Sequence, residues 1–199
     1  MVGTPGEAAI NLNEFVLALV SVIIGLGVSD LLISFHKLLR AGARVKWHWL
    51  PVSYAVLMLY SLIVFWWWQF GDPPAGQALT IAQFIPHFIF LALTFLMVAA
   101  ALPDHVPVEG IDLRRFYDES LRHRWGLVVI AMTLELAILA FTFARRGEWN
   151  AIEWNSLALV SAVLAALSIR ITATWFQALT IGWIFAVTSF FNLFHSIGP

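Results

Sequence analysis

The sequence predicts an all-α polytopic membrane protein, a transmembrane helix bundle of six spans forming one domain over residues 1–199. Three observations carry this. Of 199 residues, 61% are hydrophobic and only 12% charged, whereas soluble domains sit near ~45–50% and ~25%. The apolar residues fall into unbroken runs of the ~20 residues a helical crossing needs. Lysine and arginine gather in alternate connections, as the positive-inside rule requires. β-Barrel strands would instead alternate apolar and polar residues, and runs such as Phe15–Val20 and Leu157–Val160 do not.

The first span is expected from about Glu14 to His36, the second from Trp49 to Phe70 and the third from Leu79 to Leu102. The fourth covers about Trp125 to Ala144, the fifth Ala151 to Ile171 and the sixth Trp175 to Ser196. The last two form one run of roughly 45 residues, too long for a single crossing. Arg170 to Gln177 is its most polar stretch and marks the turn. A five-span chain with one long bent helix is the alternative. Ala41-Gly42-Ala43-Arg44 separates spans one and two. Gly71-Asp72-Pro73-Pro74-Ala75-Gly76 is the turn before span three, and Pro103 and Pro107 close that span. A basic segment ahead of the first apolar run is lacking, so a cleavable signal peptide is not expected.

Orientation follows from the cations. Lys37, Arg40, Arg44, Lys46, Arg114, Arg115, Arg122, Arg124 and Arg170 fall on one side, and only Arg145 and Arg146 on the other. Both termini are therefore expected outside the cytoplasm of a bacterial inner membrane. Trp47, Trp49, Trp125 and Trp175 mark the inner interface. Trp66, Trp67, Trp68, Trp149 and Trp154 mark the outer one, and Trp183 lies deep. Residues 104–124 form a cytoplasmic loop in which Leu113, Phe116, Tyr117 and Leu121 share a helical face. Arg115–Glu119 and Asp118–Arg122 are spaced as ion pairs. This segment is expected to lie on the membrane surface as an amphipathic helix.

Ionisable residues within spans are expensive, and each is a candidate site. Glu135 is deepest, ten residues past Trp125, or ~15 Å along a helix. It is the candidate proton or cation site, with a packing role as the alternative. Asp30 and Arg170 lie at matching depths and are expected to pair as a gate or a brace, with Lys37 competing for Asp30. Gln83, His87 and Thr94 share one face of span three, beside Pro86. Gln177, Thr180, Thr188, Asn192 and His195 share one face of span six. Such stripes turn from lipid towards a bundle interior or a route, so these residues are candidate pathway lining. Ser21, Gly25 and Ser29 permit close helix approach in span one. His87 and His195 share an outer depth, but without a ligand spacing they assign neither metal nor cofactor.

Eleven Lys and Arg against 12 Asp and Glu give a net charge of −1, with no field for nucleic acid. The absence of cysteine removes thiolate catalysis, disulfides and Cys-ligated metals. No nucleophile elbow, H-E-x-x-H or P-loop occurs. The expected role is a channel or ion-coupled transporter for a proton, ion or small solute, in a homo-oligomer surrounded by the lipid bilayer. Alternatives are a non-catalytic membrane subunit docking a partner through Phe116 and Leu121, and a membrane redox or lipid-modifying protein.

Overall fold

The computed structural model describes residues 5–68, 81–146 and 152–192. Side chains are described over 17–67, 84–86, 88–141 and 156–190, and at 143 and 192. The Gly71–Gly76 turn, His195 and the side chains of Gln83, His87, Arg145, Arg146, Trp149 and Trp154 lie outside that description.

The described chain is predominantly helical. Its elements are α1 (Pro5–Ala41), β1 (Val45–Lys46), α2 (Trp49–Trp68), α3 (Ile81–Ala99), β2 (Ile111–Asp112), α4 (Leu113–Glu119), α5 (Leu121–Arg146), α6 (Ile152–Ser168) and α7 (Thr174–Asn192). Three helical stretches are long and apolar enough to cross a membrane: Leu17–Arg44, Trp49–Trp67 and Leu121–Phe141. Phe84–Ala99, Ser156–Ser168 and Thr174–Phe190 are shorter apolar helices.

The boundaries follow the punctuation. Gly42 takes φ +52° after α1, a conformation glycine adopts without a Cβ penalty. Pro51 sits in the first turn of α2, where no intrahelical N–H is needed. The run after α5 divides into two helices broken at Ile169–Ala173, which excludes the single bent helix. Gln177 explains the break. Its amide donates to the carbonyls of Ser168 at 3.0 Å and Ile171 at 2.6 Å. Those carbonyls would otherwise be left without partners where α6 stops.

Neighbouring helices close on themselves in the order α2–α3–α5–α6–α7 and back to α2, and α1 packs on α2 and α3. The connections after α1, α3 and α6 gather at one end, the connection end. β1 and β2 pair in parallel there, Val45 beside Ile111 and Lys46 beside Asp112. Lys37 Nζ donates to the Asp104 carbonyl at 2.9 Å. Arg114 reaches from α4 to Thr174 Oγ1 at 2.6 Å and to the Thr172 carbonyl at 3.2 Å.

Segment 104–124 departs from expectation. A helix does form, but it is only Leu113–Glu119, capped by the Asp112 carboxylate on the amides of Arg114 and Arg115. Two residues of its apolar face, Leu113 and Tyr117, are fully buried, Phe116 is half-buried, and α4 packs on α2. The Arg115–Glu119 pair forms at 2.7 Å. Asp118 pairs instead with Arg114, at 2.9 Å. The reason is the break at Ser120. It places Asp118 and Arg122 on different helices, where i,i+4 geometry no longer applies.

Packing is tight at the connection end and relaxes away from it. The last buried residues of α2, α3, α5, α6 and α7, counted from that end, are Leu62, Leu91, Ala131, Ser161 and Ile184. These lie roughly 10–20 Å along their helices at 1.5 Å per residue. Beyond them, none of the described side chains of those five helices is buried.

Candidate functional site

Gln177 is the centre of a polar knot at the connection end. It is fully buried in the first turn of α7. Its Oε1 accepts from Tyr117 Oη at 2.8 Å and from Trp125 Nε1 at 2.7 Å. With the two carbonyls already described, both amide atoms are in use. One side chain thus ties α4, α5 and the α6–α7 turn together. Ser168 Oγ donates to Thr180 Oγ1 at 3.1 Å, and Thr180 Oγ1 donates to the Phe176 carbonyl at 3.1 Å. Burial pushes the Tyr117 phenol up to about 12, because its anion would lose hydration.

Gln177 and Thr180, read from the sequence as pathway lining, are therefore bonded within protein. Thr94 is likewise buried, its hydroxyl donating back to the Phe90 carbonyl at 2.9 Å. Trp183 Nε1 donates to Ser161 Oγ at 3.1 Å and closes α7 on α6. Each of these four side chains, Gln177, Thr180, Thr94 and Trp183, is satisfied by a neighbour, as buried polar groups usually are.

Charge and hydropathy do not distinguish Arg124 from the other cations of its loop. The structure buries it fully, three residues into α5 from Leu121. Its Cζ lies 3.8 Å from the Tyr117 ring centroid and 5.4 Å from those of Tyr54 and Phe116. Its Nη2 donates to the Tyr117 carbonyl. Tyr54 also meets Trp125 edge-on, with centroids 5.6 Å apart. A helical projection holds the one available signal. Eleven residues separate Arg124 from Glu135, and at 100° per residue that is a rotation of only ~20°.

Glu135 stands on that same line, above the knot. Leu121, Arg124, Val128 and Ala131 lie along it, and all four are buried. Ile130, Thr133, Ala137 and Phe141 form the exposed outer face of α5, roughly 150° away. Glu135 is exposed although it projects with the buried line. It emerges one turn beyond Ala131, the last buried residue of α5 counted from the connection end. By equal rise from the connection end, Thr188 of α7 stands at the same level. Thr188 is half-buried, and its carbonyl accepts from Asn192 Nδ2 at 2.5 Å. Tyr60 of α2 lies slightly lower and packs at a tilt against Phe185, centroids 4.8 Å apart. Gln83 and His87 are placed on α3 by backbone alone.

Asp30 and Arg170 are not brought together. Asp30 is half-buried on α1, which packs on α2 and α3. Arg170 lines a cleft of about 380 Å³ at the connection end with Asp118, Glu119, Arg122 and Thr172. Among the described residues no ion pair joins the two. Lys37 is engaged with the Asp104 carbonyl. A second cleft, about 460 Å³, is lined by Arg44, Lys46, Glu109, Asp112, Arg115 and Phe116, among others. Among the described residues, no group of three or more His, Asp or Glu is arranged to hold a metal ion. Comparison with family models, curated proteins and solved structures finds no match.

Proposed function

We propose that the chain is a six-span inner-membrane carrier for a proton or small cation, with both termini outside the cytoplasm and Glu135 as the titrating group. The observation that carries this reading is the position of Glu135. It projects with the inward line of α5, is exposed, and sits directly above a closed layer. An exposed carboxyl above a layer of buried side chains suits alternating access better than an open pore. The seal is the knot around Gln177 together with Leu57, Leu62, Val128 and Ile184. Thr188 and Asn192 stand at or above the level of the acid and are the pathway residues we retain. Asp30 belongs to α1, outside the closed circuit of helices, and takes no part in the proposed route. Partner docking through α4 is less favoured, because Leu121 is buried and has no surface to present.

Flux in proteoliposomes tests the proposal. Proton or cation uptake that saturates with concentration is expected for the wild type, with a loss of at least about tenfold in Glu135→Gln. Equal flux in the two proteins would end it. Unitary currents would replace the carrier with a channel.

A further inference from the structure

Two arginines from different helices share one cleft at the connection end. The cleft of about 380 Å³ is lined by Arg122 at the start of α5 and by Arg170 just past the end of α6, together with Asp118 and Glu119. Both acids are already engaged. Asp118 pairs with Arg114 at 2.9 Å and Glu119 with Arg115 at 2.7 Å, and neither of those cations lines the cleft. Among the described residues, neither Arg122 nor Arg170 has an ion-pair partner. Once the pairs are set aside, two uncompensated guanidinium groups face the same space. Each is a planar fork of donors whose spacing matches phosphate oxygens. Thr172, in the same lining, adds a hydroxyl that can donate alongside them. The volume falls within the ~300–1,000 Å³ of small-molecule sites.

The surface beside the cleft tells which phosphate it takes. Arg122 projects within ~20° of Thr133, at the foot of the exposed outer face of α5, where Ile130 is 55% exposed. Arg170 follows the last turn of α6, its amide donating to the Leu167 carbonyl at 2.9 Å. Leu167 and Val163, about one and two turns back along α6, are 44% and 50% exposed. Because α5 and α6 pack on each other, bare apolar surface runs from the cleft along two neighbouring helices. A free anion makes no use of that surface, whereas an acyl chain does. We propose that Arg122 and Arg170 hold the phosphodiester of an anionic glycerophospholipid, with its chains lying along Ile130, Val163 and Leu167. A zwitterionic headgroup would instead bring an ammonium beside two guanidinium groups. Basic pockets between spans at the cytoplasmic side suit such headgroups. The site rests on the membrane reading above and not on transport, so lipid retention can fail while flux persists, and the reverse.

Native mass spectrometry of the purified, full-length protein in detergent tests this, titrating phosphatidylglycerol or phosphatidylcholine with the same chains. The wild type should retain phosphatidylglycerol about fivefold or more tightly than phosphatidylcholine. Arg122→Gln and Arg170→Gln should each weaken that retention about fivefold, and the double variant about thirtyfold. Both side chains are exposed, so the variants should fold as the wild type does. Arg40→Gln, at an exposed cation of α1 at the same end, should leave retention unchanged. Equal retention of the two lipids by the wild type overturns the proposal. So does retention that survives in the double variant. A loss in Arg40→Gln equal to that in Arg122→Gln would reduce the effect to general surface attraction and overturn it. Displacement of phosphatidylglycerol by equimolar inorganic phosphate would make this a free-anion site and overturn the lipid.

Discussion

Replacing Gln177 with leucine removes the centre of the polar knot while nearly conserving volume. Three buried groups then lose their partner, the Tyr117 hydroxyl, the Trp125 indole N–H and the Ser168 carbonyl, and so does the part-buried Ile171 carbonyl. Leaving a buried polar group unsatisfied costs ~1–3 kcal/mol. Even at the low end, the three buried groups together cost about 3 kcal/mol. For a chain of this size each kcal/mol lowers Tm by ~2–4 °C, so Gln177→Leu should melt roughly 6–12 °C below the wild type. Tyr117→Phe is the control. It deletes one bond and leaves Oε1 with its indole partner, for about 1 kcal/mol and roughly 2–4 °C. Intrinsic fluorescence during heating in detergent reads both variants. If Gln177 faced an aqueous route, water would replace its partners and the leucine variant would lose little. A Gln177→Leu protein no less stable than Tyr117→Phe refutes the knot.

Two further expectations follow from the connection end. Gly110 has φ +92°, and a Cβ there would sit 2.4 Å from the Arg44 carbonyl oxygen. Gly110→Ala should therefore lower Tm clearly, while Gly25→Ala, with nothing within 4 Å, should raise it by roughly 1–4 °C, from ~0.5–1 kcal/mol of helix propensity; equal shifts in a melting comparison would contradict this. The Tyr117 phenol, raised by burial to about 12 from 10.0, holds its proton more tightly folded than unfolded. Stability should consequently fall as pH rises between about 10 and 12, and this slope should be shallower in Tyr117→Phe; identical alkaline slopes would remove the burial argument.

How much of the fold and site is legible in the sequence depends on what each signal reports. Hydropathy and turn residues report where helices start and stop, so the break near Arg170, the start of α2 and the end of α3 fall within a few residues of expectation. Amphipathicity reports that a face will be covered, not by what. Taken alone it sends the Leu113–Leu121 segment to a membrane surface, although α2 covers it. Arg124 is hidden because hydropathy treats a cation at a span boundary as ordinary. Only its phase on α5, aligned with Glu135, distinguishes it. Pairing by depth fails for Asp30 and Arg170, because depth does not say which helices touch. Those neighbours emerge from side-chain fit across long sequence separations, as with Tyr54 against Trp125.

The two-residue ladder of Val45–Lys46 with Ile111–Asp112 has a mechanical consequence. It couples the bend joining the first two helices to the bend leaving the third. Neither hairpin can tilt alone without dragging the other or tearing those few backbone bonds. Any motion that unseals this end must swing both as one lever, with Gly110, pressed on Arg44, as its fulcrum.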